Sequence, residues 1–165
     1  MSNGSMLPPD FSGLPRLYVR VGSEIREAPP DDQDLARSYP GWPDKGVISD
    51  GRRLTILTAR QRVGLNEEVR VIHVAEAIDP GVVLYTMGPK AISGESVDGI
   101  LTTAPRMKDD DPLRPAGLYD GPVVAGPAID YGYDVTTYTF DATGLHRIVW
   151  QLGELVSNEL LIWVE

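Results

Sequence analysis

"DATGLHRIVWQLGELVSNELLIWVE", residues 141 to 165, decides the fold. In its first half His146, Ile148, Trp150 and Leu152 fall on one side of an extended chain. Leu145, Arg147, Val149 and Gln151 fall on the other, the period of two that marks a strand. Gly153-Glu154 breaks the run as a tight turn, and Leu160 to Val164 alternates again. The Trp150 row is assigned to the core, because it buries the most apolar area and leaves Arg147 in water. Leu160, Ile162 and Val164 then face inward, while Leu161 and Trp163 fall on the outer side of what reads as an edge strand. Large apolar groups there need a cover, supplied either by residues 1 to 50 or by a partner, a second copy included.

Upstream, the same texture recurs. "RRLTILTARQRV" (52–63) sets Leu54, Ile56 and Thr58 on one face. "EEVRVIHVAEA" (67–77) sets Val69, Val71, His73 and Ala75 against Arg70, Ile72 and Val74. "GVVLYTMG", "DGILTT" and, after a loop over 104 to 131, "DVTTYTF" complete a set of short strands divided by turn residues. No amphipathic helix competes; Asp31 to Ser38 has room for a helical turn or two, capped by Asp31 or Asp32. Residues 1 to 50 hold "LPPD", "APPDDQD" and "YPGWPDKG" around a single strand-like piece, "RLYVRV" (16–21). The reading is an all-β chain: an antiparallel β-sandwich or barrel over 51–165 with an irregular Pro/Asp-rich arm, 1–50, packed on it.

Composition narrows the function. Twenty-four acids against 15 bases give −9, and no basic stripe offers itself to phosphates, so nucleic acid is excluded as a partner. No apolar run reaches the roughly 18 residues of a membrane span, so no membrane insertion is expected. With no cysteine there are no disulfides, thiol nucleophiles or thiolate metal sites. The first residues lack a basic start followed by an apolar run, which points to the cytoplasm if Met1 is the native start.

Catalytic and cofactor motifs are absent: no G-x-S-x-G, H-E-x-x-H, P-loop or G-x-G-x-x-G, so no cofactor and no catalytic residue is assigned. His73 and His146 both lie on rows read as inward, but two histidines alone do not make up the ligand set of a metal site. Asp109, Asp110 and Asp111 are candidate ligands for a hard cation, yet they lack the spaced pattern of a calcium loop, and no metal is assigned. The candidate binding residues are loop aromatics: Tyr39 and Trp42 between prolines, and Tyr131 and Tyr133 around Gly132. Leu161 and Trp163 join them from the last strand.

Asp141, Gly144, His146 and Ile148 resemble the corner that opens the sixth strand of immunoglobulin-like sandwiches, with the histidine where those domains carry a tyrosine. The Ser-Asn pair before the final alternating strand is similar to the ending of immunoglobulin-like and fibronectin-type modules of bacterial proteins. That resemblance implies an Ig-like β-sandwich used for display or adhesion. The expected role is therefore a non-catalytic recognition or assembly module, with a protein or glycan partner or a homodimer. The alternatives are a small hydrolase or carbohydrate-active domain using loop carboxylates with His73 or His146, and a calcium-dependent binding module.

Overall fold

A computed structural model of the chain describes residues 17–86, 88–105, 111–114 and 121–165. The described part of the arm contributes a hairpin, β1 (Tyr18–Val21) and β2 (Glu24–Glu27), an α-helix, α1 (Pro30–Arg37), and a short 3-10 helix at Tyr39–Gly41. Twelve further strands follow: β3 (Arg52–Leu57), β4 (Arg62–Val63), β5 (Val69–Ala77), β6 (Val83–Tyr85), β7 (Glu95–Val97) and β8 (Ile100–Leu101), then β9 (Val123–Ala125), β10 (Ala128–Asp130), β11 (Thr136–Tyr138), β12 (Gly144–Leu152), β13 (Leu155–Val156) and β14 (Leu160–Val164). The protein is all-β, built of antiparallel sheets with one parallel pairing among the described strands.

The first sheet is organised on β5. One edge of β5 pairs with β3, while β10 and β11 pair with its two ends. Ala128 faces Ala77 and Thr136 faces Val71, so eight steps of chain oppose six and the segment between carries two extra residues. This bulge separates Tyr131 from Tyr133. A regular strand would give them one face, but here they enter different clusters of buried side chains.

The second sheet runs β4–β14–β12–β7–β8, with β13 also on β12. "VDGI" is a hairpin whose central residues, Asp98 and Gly99, take φ of 52° and 83°, as a type I′ turn requires. Between the Gln151–Val156 and Ile148–Leu160 pairs, two residues of β12 face three on the returning chain. The extra residue makes a bulge at Ser157–Glu159, and Asn158 uses it to cross to the other sheet. Its Oδ1 accepts from the Ile56 amide at 2.8 Å and its Nδ2 donates to the Ile56 carbonyl at 3.0 Å. Thus a side chain occupies the outer edge of β3 where another strand would pair.

Two cores result. Leu54, Ile56, Val71 and Ala75 of the first sheet meet Ile148, Trp150, Leu160 and Ile162 of the second, with Trp150 wholly buried. On the opposite face of β5, Leu57, Ile72 and Val74 meet Leu17, Val19, Ala36 and Tyr39 of the arm. Polar latches hold the arm there: Arg70 Nη2 donates to Asp32 at 2.6 Å, and Gln33 bonds both the amide and the carbonyl of Leu17. Tyr39 donates to Glu76, which also takes the Arg53 guanidinium.

Several expectations change here. "RRLTILTARQRV" is two strands in two sheets, β3 and β4, because the chain crosses between them. β9 and β10 lie in the stretch read as a loop, 104 to 131. The helix starts one residue earlier than Asp31, and Pro29 holds the cap position with no side-chain bond. Asp32 is spent on Arg70 instead. The described part of the arm covers the first sheet, and β14 is not an edge, since β4 lies outside it.

Candidate functional site

β12 and β14 alternate as the sequence demands. Ile148, Trp150, Leu152, Leu160, Ile162 and Val164 are buried, while Leu145, Val149 and Leu161 are half-buried and Trp163 is 44% exposed. The outer side of the second sheet is therefore a continuous face. Leu145 is the register partner of Trp163, which in turn neighbours Arg62 of β4; the Arg62 guanidinium stands 6.0 Å from the Trp163 ring centre. Arg147 is opposite Leu161, Val149 opposite Ser96, and Ser96 opposite Leu101, which is exposed.

Charges of both signs lie around this apolar strip. Arg62 pairs with Glu165 at 3.1 Å, both groups about 70% exposed. Arg147 is only loosely associated with Glu159, at 4.0 Å, with side chains 56% and 64% exposed. Exposed pairs of this kind contribute little to stability and keep their charges available.

The two sheets differ in this respect. β5 is buried or half-buried along its whole length, with one core on each face. β12 and β14 bury one row only. An antiparallel sheet commonly leaves one face to water, but polar residues then line it. Here the outward face carries Leu145, Val149, Leu161 and Trp163 among Arg147, Gln151, Ser96 and Arg62.

The loop aromatics are placed differently. Tyr39 and Tyr131 are buried in the arm-side core, and Tyr133 in the core between the sheets. The Tyr133 ring meets Trp150 edge-on at 5.2 Å and lies beneath the Lys90 ammonium at 4.3 Å. Trp42 is half-buried and packs against both cores. Packing takes up the ring faces that a sugar or partner would use, so of the six aromatic and apolar candidates only Trp163 is exposed. Asp111 accepts from Arg52 at 2.6 Å and from the Leu113 amide; Asp109 and Asp110 lie outside the described residues.

A buried polar cluster joins the sheets beside Trp150. His73 of β5 meets Trp150 edge-on at 5.0 Å, and its Nε2 lies 2.5 Å from the Glu95 carboxylate of β7. Glu95 is wholly buried and also accepts from Thr136 at 2.6 Å and Tyr138 at 2.5 Å. Burial alone would raise its pKa. The His73 charge and the hydrogen bonds from His73, Thr136 and Tyr138 together outweigh burial and hold the carboxyl below its ordinary range. An ionised carboxylate only accepts, so the shared proton belongs to Nε2. Nδ1 of His73 is buried without a hydrogen-bond partner among the described residues.

His146 sits apart from this cluster. Its Nδ1 faces Asp98 at 2.6 Å and its Nε2 faces the Ala142 carbonyl at 2.8 Å, so both ring nitrogens face acceptors. The bond to Asp98, then that to Ala142, raise its pKa above the ordinary 6.5. Lys90 and Asp130 form a second buried pair at 2.9 Å. Burial lowers the lysine pKa and raises that of the aspartate, each opposed by the charge of the other.

Of the outer face, sequence reasoning named Leu161 and Trp163 as a candidate site and identified the Leu145–Arg147–Val149 row. It missed Arg62 and Leu101, which only sheet order brings alongside. Comparison of the chain with protein-family models, with curated proteins and with solved structures gives no match.

Proposed function

We propose that the protein is a non-catalytic recognition or assembly module, an immunoglobulin-like β-sandwich that docks on a protein partner through the outer face of its second sheet. The observation that carries this reading is the unequal treatment of the two sheets: the first has a core on each face, while the second exposes Trp163 among Leu145, Leu161, Val149 and Leu101. Aliphatic neighbours around an exposed indole suit a desolvated protein contact better than a sugar, whose hydroxyls need polar partners. The Ig-like assignment draws support from His146. Its bond to a carbonyl four residues upstream does what the corner tyrosine does in such domains.

A hydrolase would need a histidine nitrogen open to substrate. His73 is sealed inside, and both nitrogens of His146 are engaged. The test of docking is a photo-crosslinking residue in place of Leu161, with the same residue in place of the exposed Arg26 as control, in protein made in its own host. The docking reading expects specific protein adducts, to self or to another chain, from position 161 alone. Equal adducts at both positions, or none, would overturn it.

A further inference from the structure

We infer that the partner on this face is a second copy of the chain, docked sheet to sheet about a two-fold axis. The inference rests on the docking reading above and adds the occupant.

Charge placement points to it. The face carries Arg147, set between Leu145 and Val149, beside Glu159, and Arg62 beside Glu165, one base and one acid in each pair. A two-fold interface requires a patch complementary to itself. An axis lying in the interface and passing between Arg147 and Glu159 sets each against its opposite in the other copy. The 4.0 Å separation within one chain leaves both groups free to make that exchange. A partner of single-sign charge would meet repulsion from one member of each pair. The molecule as a whole, at −9, repels its copies, so association needs a local surface where the signs balance.

Area sets the strength. Five strands about 4.8 Å apart, overlapping for five residue pairs along β12 and β14, cover roughly 350 Å² in projection. A standard stable interface uses about 800 Å² per partner. The dimer is therefore a weak, transient one. Face-to-face sheets pack near 10 Å apart, and the Trp163 indoles fill that gap.

The experiment is light scattering over a concentration series from about 10 μM to 1 mM, on the parent, on Arg147→Glu, on Glu159→Arg and on an equimolar mixture of the two variants. Both positions are more than half exposed, so each variant keeps the fold. The parent should climb from monomer toward dimer mass. Each variant alone should stay monomeric where the parent dimerises, having like charges across the axis. Their mixture should recover dimer, since one face has become acidic and the other basic. A parent monomeric throughout, a dimer indifferent to both variants, or a mixture that fails to recover would each overturn the second copy as partner. If the parent is monomeric while position 161 still cross-links to another protein, the docking face stands and only its occupant falls; if neither association nor adducts are seen, both fall.

Discussion

Protonating Glu95 would remove the acceptor that His73, Thr136 and Tyr138 share. Its folded pKa lies below the ordinary 4.5, so it stabilises the fold above that value, and this contribution is lost as pH falls through the folded pKa. Glu95→Gln should cost about 3–5 kcal/mol in urea unfolding at neutral pH, because His73 and two hydroxyls lose a charged acceptor. The variant should also show a flatter loss of stability between neutral and acid pH than the parent. His146 has the opposite sign. With its pKa raised, its contribution is complete below 6.5 and is lost as pH rises through the folded value. A ring-proton NMR titration should place His146 above 6.5, and Asp98→Asn should bring it down; an unchanged midpoint would remove Asp98 as the cause. Neither pairing was legible in the sequence. His73 and Glu95 are 22 residues apart, and no local pattern encodes a contact between sheets.

Among the elements, β12 and β14 were readable because each buries one row and shows the other, so sequence parity maps directly onto burial. β5 was readable as a strand, but the arm packs on its second face, so its alternation carries no inside and outside. β7, β9 and β10 are three residues each, too short for a period to emerge among turn residues. Tyr131 and Tyr133 looked like loop rings because the bulge around Gly132 has a turn composition, while their burial depends on what packs above it. The bulge at Ser157–Glu159 has a cost that can be measured. Asn158→Ala removes the partner of both the Ile56 amide and its carbonyl, and should lower unfolding free energy by about 2–4 kcal/mol. Gly46 guards the same edge. A Cβ there would stand 1.9 Å from the Leu54 carbonyl oxygen, so Gly46→Ala should lower the melting temperature more than Gly41→Ala, where nothing lies within 4 Å.

The whole molecule is layered: arm, first sheet, second sheet. The change of texture near residue 50 was visible in the Pro and Asp clusters, but the depth of the arm's engagement was not, because Leu17, Ala36 and Tyr39 are scattered among turn residues. A fragment of residues 51–165 should expose Leu57, Ile72 and Val74 and bind a hydrophobic dye more strongly than the full chain does. A soluble, cooperatively unfolding fragment that binds no more dye than the full chain would make the arm a separable appendage. Trp150→Ala, at the junction of both sheets and the polar cluster, should cost about 3–5 kcal/mol by denaturant unfolding.

The Asn158–Ile56 clasp also has a history in time. Its two ends are 102 residues apart, and at a synthesis rate of about 5–20 residues per second Ile56 waits roughly 5–20 s for its partner to be made. Throughout that wait the outer edge of β3 lacks the group that closes it, open to pairing with a neighbouring nascent chain. Contacts of such separation form late, since the entropy of the intervening loop is lost before they are gained. Yield in the cell should therefore depend on how densely ribosomes crowd a message, a sensitivity that comes from one asparagine reaching back across the fold.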